Sequence, residues 1–142
     1  MTTQREIGYA LFRLTFGIVF LFSGIGKFRG GIGNFAGNML QQFSGKLPAV
    51  LVQPFAYTLP FAETLLGALI VLGLFTTVAL SLSGLLLAAL TFGTVMLGEF
   101  PTVAHNAQYA LVNFVLLWAL AYNRYSLDQA IRGGPSVVDR ER

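Results

Sequence analysis

Long apolar runs separated by short polar breaks set the layout of this chain. The first run covers about residues 7–26 (IGYALFRLTFGIVFLFSGIG), with Arg13 as its one interior charge and Lys27 and Arg29 just beyond it. A helix crossing about 30 Å of hydrocarbon needs about 20 mostly apolar residues, so the pattern predicts a first crossing here. The following GKFRGG offers no small-residue cleavage site, and the segment reads as a retained helix rather than a removed leader. No charged residue occurs between Glu63 and Glu99. As one helix that stretch of about 35 residues would be about 52 Å long, too long for a single crossing. It must fold back, and GLFTT at 73–77, a glycine followed closely by two β-branched threonines, is its weakest point. The pattern therefore predicts a second helix over about 55–74 and a third over about 77–97. A fourth follows over about 106–122, with Trp118, Tyr122 and Tyr125 gathered near its end, where aromatic rings favour the headgroup level.

The first loop, about 28–54, contains NFAGNMLQQFSG, which places Phe35, Met39 and Phe43 four residues apart with Gly45 as a C-cap. The spacing predicts a short amphipathic helix on the membrane surface; an ordinary polar loop is the alternative. GGIG and SGK lack the spacing and the preceding strand of a phosphate-binding loop. From about residue 126 to 142 the chain turns polar and reads as a frayed tail. Without repeats or linkers, the chain reads as a single domain.

Composition strengthens this all-α, integral-membrane reading. Of the 142 residues 55% are hydrophobic and 11% charged, with mean hydropathy +0.69. Soluble domains carry about 25% charged residues, and a small fold has proportionally more surface to wet. A soluble globule and a disordered chain are both excluded. The absence of cysteine removes disulfide exchange and iron–sulfur chemistry, and a single histidine cannot supply bis-histidine haem ligation or a histidine metal cage. The net charge of +3 does not mark a nucleic-acid binder, because the basic residues are scattered at segment ends. Four crossings put both termini on one side. There Arg5, Arg124, Arg132, Arg140 and Arg142 outweigh Lys27, Arg29 and Lys46 in the first loop, which predicts cytoplasmic termini in an inner (cytoplasmic) membrane.

Polar groups inside apolar helices carry most of the functional information, since they are costly against lipid. Arg13 shares a helical stripe with Gly17, Phe20, Gly24 and Lys27, where the two glycines admit a close neighbour; snorkelling to the headgroups is the competing account. Glu63 is too short to snorkel far and lies on a stripe with Pro60, Gly67 and Ile70. An inward carboxylate needs a cation, hydrogen bonds or a proton, and Lys27 and Arg13 are its two candidate partners. A structural ion pair and a catalytic or ligand-binding role both fit it. Glu99, His105, Asn106 and Tyr109 are expected at the same membrane boundary as Lys27, so a pocket there is one reading and a surface histidine the other. Asn106 and Asn113, seven apart with Tyr109 between them, suit helix-to-helix bonding or a binding seam.

Arg13, Gly17, Phe20, Gly24 and Lys27 form the pattern R-x-x-x-G-x-x-F-x-x-x-G-x-x-K, which resembles the first helix of the DoxX family. PFAETLLGALIVLGLFT at 60–76, FGTVMLGEFPTVAHNAQYALVNF and YSLDQAI resemble its later motifs, so the likeness covers nearly the whole chain. It implies a four-helix membrane protein related to a subunit of a thiosulfate:quinone oxidoreductase, with Arg13, Lys27 and Glu63 matching recurrent polar positions. On that reading the protein is a quinone- or redox-linked membrane subunit. Arg13, Lys27 and Glu63 are its catalytic candidates, and Glu99, His105, Asn106, Tyr109 and Asn113 its cofactor-binding candidates. The cofactor stays open, a quinone being the candidate and no metal site being expected. The alternative is a non-catalytic scaffold held in lipid by protein partners or by its own copies.

Overall fold

The computed structural model describes residues 4–132, so residues 133–142 of the expected tail lie outside the described residues. Those described form six α-helices and one 3-10 turn: α1 (Gln4–Arg29), α2 (Ile32–Gln42), α3 (Ala49–Leu72), α4 (Thr76–Leu97), α5 (Phe100–Trp118), the turn Leu120–Tyr122, and α6 (Leu127–Arg132). Among the described residues every regular element is helical, as the patterning predicts.

Three helices, α1, α3 and α4, are long and apolar enough to cross a membrane, with mean hydropathies of 1.6, 1.7 and 2.0 over their best windows. The fourth expected helix, 106–122, is found over Phe100–Trp118 as α5 and is not among these three. α5 starts at Phe100, with Pro101 in its first turn where a missing N–H costs nothing. His105, Asn106, Gln108 and Asn113 keep it below the apolarity of the other three. A four-crossing bundle is therefore not what the helix inventory alone delivers. The outward faces of the long helices are apolar, with Leu11, Phe22, Phe61, Leu65, Leu85 and Phe92 all exposed, as a lipid surrounding requires.

α3 begins at Ala49, six residues before the expected start. Pro54 lies inside the helix rather than at its boundary, and Pro48 serves as N-cap. The residues AVLVQ that precede Pro54 contain no breaker, so the helix starts at Ala49 and runs through the proline at the loss of one backbone hydrogen bond. The amphipathic segment is helical as α2, which packs on α3 and buries Ala36. It ends at Gln42 with Phe43 as C-cap; Gly45, expected in that place, takes its left-handed φ of 78° two residues further on.

α1 packs chiefly on α3 and α5 chiefly on α4, and the two pairs lean on one another. Glycines set the first contact. A Cβ on Gly67 would lie 2.6 Å from the Leu21 Cα, one on Gly17 2.8 Å from the Val71 backbone N, and one on Gly24 2.6 Å from the Thr64 backbone N. Only hydrogen fits at these crossing points, which is how helices gain van der Waals contact where lipid offers no hydrophobic drive. Between the pairs lies an apolar core of Tyr9, Phe16, Phe20, Leu66, Ile70, Leu80, Leu87 and Leu116. The Tyr9 hydroxyl, buried there, donates to the Leu116 carbonyl at 2.8 Å and ties α1 to α5.

The α3–α4 turn falls at the predicted GLFTT. Gly73 takes φ 69° as the C-cap of α3, and Phe75 sits at φ 48°. The first N–H groups of α4 have no cap from a neighbouring side chain. Asp128, the second residue of α6, supplies it: its carboxylate accepts from the N–H of Phe75 at 2.7 Å and of Thr76 at 2.8 Å. Its own N–H donates to the Gly73 carbonyl at 3.0 Å. The start of the expected tail is thus an ordered clamp on the α3–α4 turn. Partial burial opposes ionisation of Asp128, yet the hydrogen bonds from Thr76 and Phe75 and the charge of Arg132 hold its carboxyl below the usual carboxylate range.

Two outcomes are expected. Gly67→Leu forces α1 from α3 and lowers stability in detergent by about 1–3 kcal/mol or more, read from denaturant unfolding. Asp128→Asn keeps one acceptor oxygen but loses the second and the negative charge at the N-terminus of α4, a loss of about 0.3–1 kcal/mol. Because the native carboxyl titrates below its unfolded value of about 4, the stabilisation is complete above pH 4 and fades as pH falls through the native value. The melting temperatures of wild type and Asp128→Asn should accordingly converge in acid.

Candidate functional site

Gly24 lets the last turn of α1 press against α3, and one turn further along α1 brings Lys27 over Glu63. Lys27 Nζ donates to Glu63 Oε2 at 2.6 Å, an ion pair in which the carboxylate side chain is 7% exposed and the lysine 20%. The same nitrogen donates to Ser23 Oγ at 2.9 Å and reaches the Ser23 carbonyl at 3.4 Å, and it lies 5.5 Å from the centroid of the Phe35 ring. Of the two partners open to Glu63, Lys27 is the one it takes. The pair is charge-assisted and short, the strong class of hydrogen bond.

Two hollows meet at this pair. On the Glu63 side a cleft of about 100 Å³ is lined by Phe20, Ser23, Glu63, Leu87, Asn106 and Tyr109 among others. On the Lys27 side a wider hollow of about 420 Å³ runs past Phe22, Lys27, Gly30, Asn34, Phe35 and Asn38. Asn106 is buried, and its amide lies 3.5 Å from Thr94 Oγ1, which fixes α5 against α4 beside the cleft. Asn113, two turns further along α5, is buried against Gly84, where a Cβ would lie 2.8 Å from its amide nitrogen. It lines neither hollow, so the structure gives it a packing position. Glu99 and His105 are exposed, and neither lines the Glu63 cleft. Of the expected boundary cluster, Lys27, Glu63, Asn106 and Tyr109 converge, while Glu99 and His105 do not. A helix turns 100° per residue, and His105 points away when its neighbour Asn106 points in.

Arg13 is nowhere near Glu63. It lies fourteen residues from Lys27 on α1, about 21 Å along the helix axis. There it neither snorkels nor meets a carboxylate directly. Its guanidinium donates to Asn123 Oδ1 and to the Tyr125 carbonyl, the latter at 2.8 Å, while Asn123 Nδ2 donates to Thr76 Oγ1 at 3.1 Å. Gly73 leaves room for it, since a Cβ there would be 2.5 Å from Nη1. Arg13 thus joins α1 to the clamp that Asp128 closes on the α3–α4 turn.

Sequence reasoning missed Ser23, Glu6 and Asn123. Ser23 had a signal, because it stands one turn before Lys27. Glu6 is completely buried and lies 3.6 Å from Arg124. It shares the stripe of Tyr9, Arg13, Phe16, Phe20 and Gly24, all buried on α1, so its place on that face was readable. Asn123 had none, since nothing local marks a residue that bonds across more than a hundred positions.

These features define a helical, multi-pass membrane protein with a buried lysine–glutamate pair flanked by two hollows. A family model described as methylamine utilisation protein MauE matches residues 5–102, more than half of the chain, and the protein belongs to that family. No curated protein and no solved structure gives a significant match. The DoxX resemblance is corrected by this finding: the matched family is a different membrane family, and no DoxX match accompanies it. The motifs that suggested it are spaced glycines with a few polar groups. Small residues at such spacings are what a tight helix crossing requires, so they do not single out one membrane family. The matched span holds Ser23, Lys27 and Glu63, whereas Asn106, Tyr109 and Asp128 lie beyond it.

Lys27→Met leaves the Glu63 carboxylate buried without its cation and is expected to cost about 3–5 kcal/mol in a denaturant titration. Combining it with Glu63→Leu should recover most of that loss. A single variant as stable as the wild type would show that the pair carries no energy.

Proposed function

We propose that this protein is a redox-linked membrane component of methylamine utilisation, the process named in its family's description, with the Lys27–Glu63 pair as its working polar centre. In this reading α5 completes a fourth crossing and both termini face the cytoplasm across an inner membrane. Glu63 is the group that exchanges a proton with whatever occupies the cleft. Lys27 balances its charge, and Asn106 and Tyr109 offer a polar wall. The observation that carries the proposal is the placement of the pair between two hollows rather than inside a sealed contact. A carboxylate meant only to bind two helices would gain nothing from a cleft beside it. With no cysteine and one histidine, the chain brings no thiol or multi-histidine centre. Electrons in a redox step therefore travel on a partner or a bound carrier, such as a quinone with its headgroup at the cleft.

A scaffold role is the second reading, favoured by the glycine-tight contact of α1 with α3, which a rigid docking subunit would also need. Glu63→Gln separates the two, because it keeps size and hydrogen bonding while removing charge. In a bacterium that depends on this protein to grow on methylamine, the variant should reach the membrane at wild-type level while growth falls to background. Growth that drops only in step with protein level would instead assign the scaffold role. Unchanged growth at unchanged level would remove Glu63 from the function.

A further inference from the structure

The surroundings of Lys27 Nζ form a complete receptor for a primary ammonium. Such a group has three N–H donors, and three acceptors stand around it: Glu63 Oε2 at 2.6 Å, Ser23 Oγ at 2.9 Å and the Ser23 carbonyl at 3.4 Å. Phe35 offers an aromatic face at 5.5 Å, within cation–π range. These contacts read the terminal CH₂–NH₃⁺ unit rather than the lysine stem. Lys27 stands in the last turn of α1, more exposed than Glu63, and the 420 Å³ hollow beside it leaves space for its side chain to swing aside.

We propose that this cradle binds a free small primary alkylammonium of methylammonium size, which arrives through the hollow lined by Asn34 and Asn38 and replaces Lys27 Nζ against Glu63. The inference rests on Glu63 being the working group proposed above, and it adds the ligand class. No covalent bond changes. Lys27 Nζ swings into the hollow as the free ammonium takes its place, so the carboxylate stays paired while the site as a whole gains one positive charge. The cradle discriminates by hydrogen-bond count, since a quaternary ammonium has no N–H to give. Lys27 competes as a tethered ligand at an effective concentration in the millimolar range, so half-saturation by the free amine is expected on the order of millimolar or above.

The test uses the full chain purified in detergent and ¹³C-labelled methylammonium chloride observed by saturation-transfer NMR, with tetramethylammonium chloride at equal ionic strength as competitor. Wild type should show saturable binding that tetramethylammonium does not displace. Glu63→Gln and Ser23→Ala should each weaken it, the former at least tenfold, and Lys27→Ala should tighten it at least tenfold by removing the competitor. Should Glu63→Gln fail to fold, Ser23→Ala with Lys27→Ala still decides the matter. Absence of wild-type binding at tens of millimolar would overturn the inference even if Lys27→Ala binds, because the cradle would then belong to the lysine alone. Displacement by tetramethylammonium would overturn it as well. Since binding is read on the isolated protein, a negative result here leaves the growth experiment on Glu63 standing, and the converse holds.

Discussion

The hydrogen atoms of Gly17, Gly24 and Gly67 set the distance between α1 and α3, and the remaining architecture follows from that distance. Helices surrounded by hydrocarbon gain little from burying apolar side chains, because lipid is as apolar as leucine. Contact must come from close fit. At Gly24 the approach is tight enough that a Cβ would collide with the α3 backbone. The next turn of α1 then carries Lys27 into hydrogen-bond range of Glu63. A wider separation would leave both charges to seek water or lipid, each at a cost of several kcal/mol. The small residues are therefore the precondition for the ion pair rather than a separate feature.

At the other end of α1 the same problem, a cation in an apolar helix, has a different solution. Arg13 is long enough to reach the segment after α5, where the Asn123 amide and the Tyr125 carbonyl accept from it. Asp128, a few residues on, closes the N-terminus of α4. The negative carboxylate meets the positive end of the helix dipole there, and the open donors of the first turn find acceptors. One stretch of chain thus satisfies both a buried guanidinium and an uncapped helix, which is why the expected tail, from about residue 126, begins as ordered structure.

The parts legible in the sequence are those with a local or periodic cause. The apolar runs located α1, α3 and α4, the glycine–threonine break located their turn, and the four-residue spacing of Phe35, Met39 and Phe43 located α2. The stripe arithmetic on α1 put Lys27 and the glycines on one face and left Glu63 with two possible partners, of which geometry kept the nearer. What stayed hidden depends on contacts across more than forty positions. The cap from Asp128, the acceptors of Arg13 and the pairing of Glu6 with Arg124 have no local signature. α5 was misplaced for another reason. Its first turn, with Pro101, resembles a loop to any rule that treats proline as punctuation, although proline fits the start of a helix well. The family likeness failed because close helix packing imposes similar glycine spacings in more than one membrane family.

A buried lysine–glutamate pair is in itself weak support for stability. Desolvating two ions offsets most of their attraction, and apolar residues of similar volume often hold helices equally well. The α1–α3 contact already has its adhesive in the glycine crossings, and Leu66 and Ile70 of α3 pack into the core beside Phe16 and Phe20. Charge at this position is thus redundant for association. For the proposed function it is not redundant, because a carboxylate facing a 100 Å³ cleft can trade a proton or accept an ammonium where leucine can do neither. The asymmetry in exposure points the same way: the anion is the more deeply buried partner, and the cation is the one placed beside open space. A pair built for adhesion would bury both ends alike, whereas one built for exchange keeps its replaceable member near water.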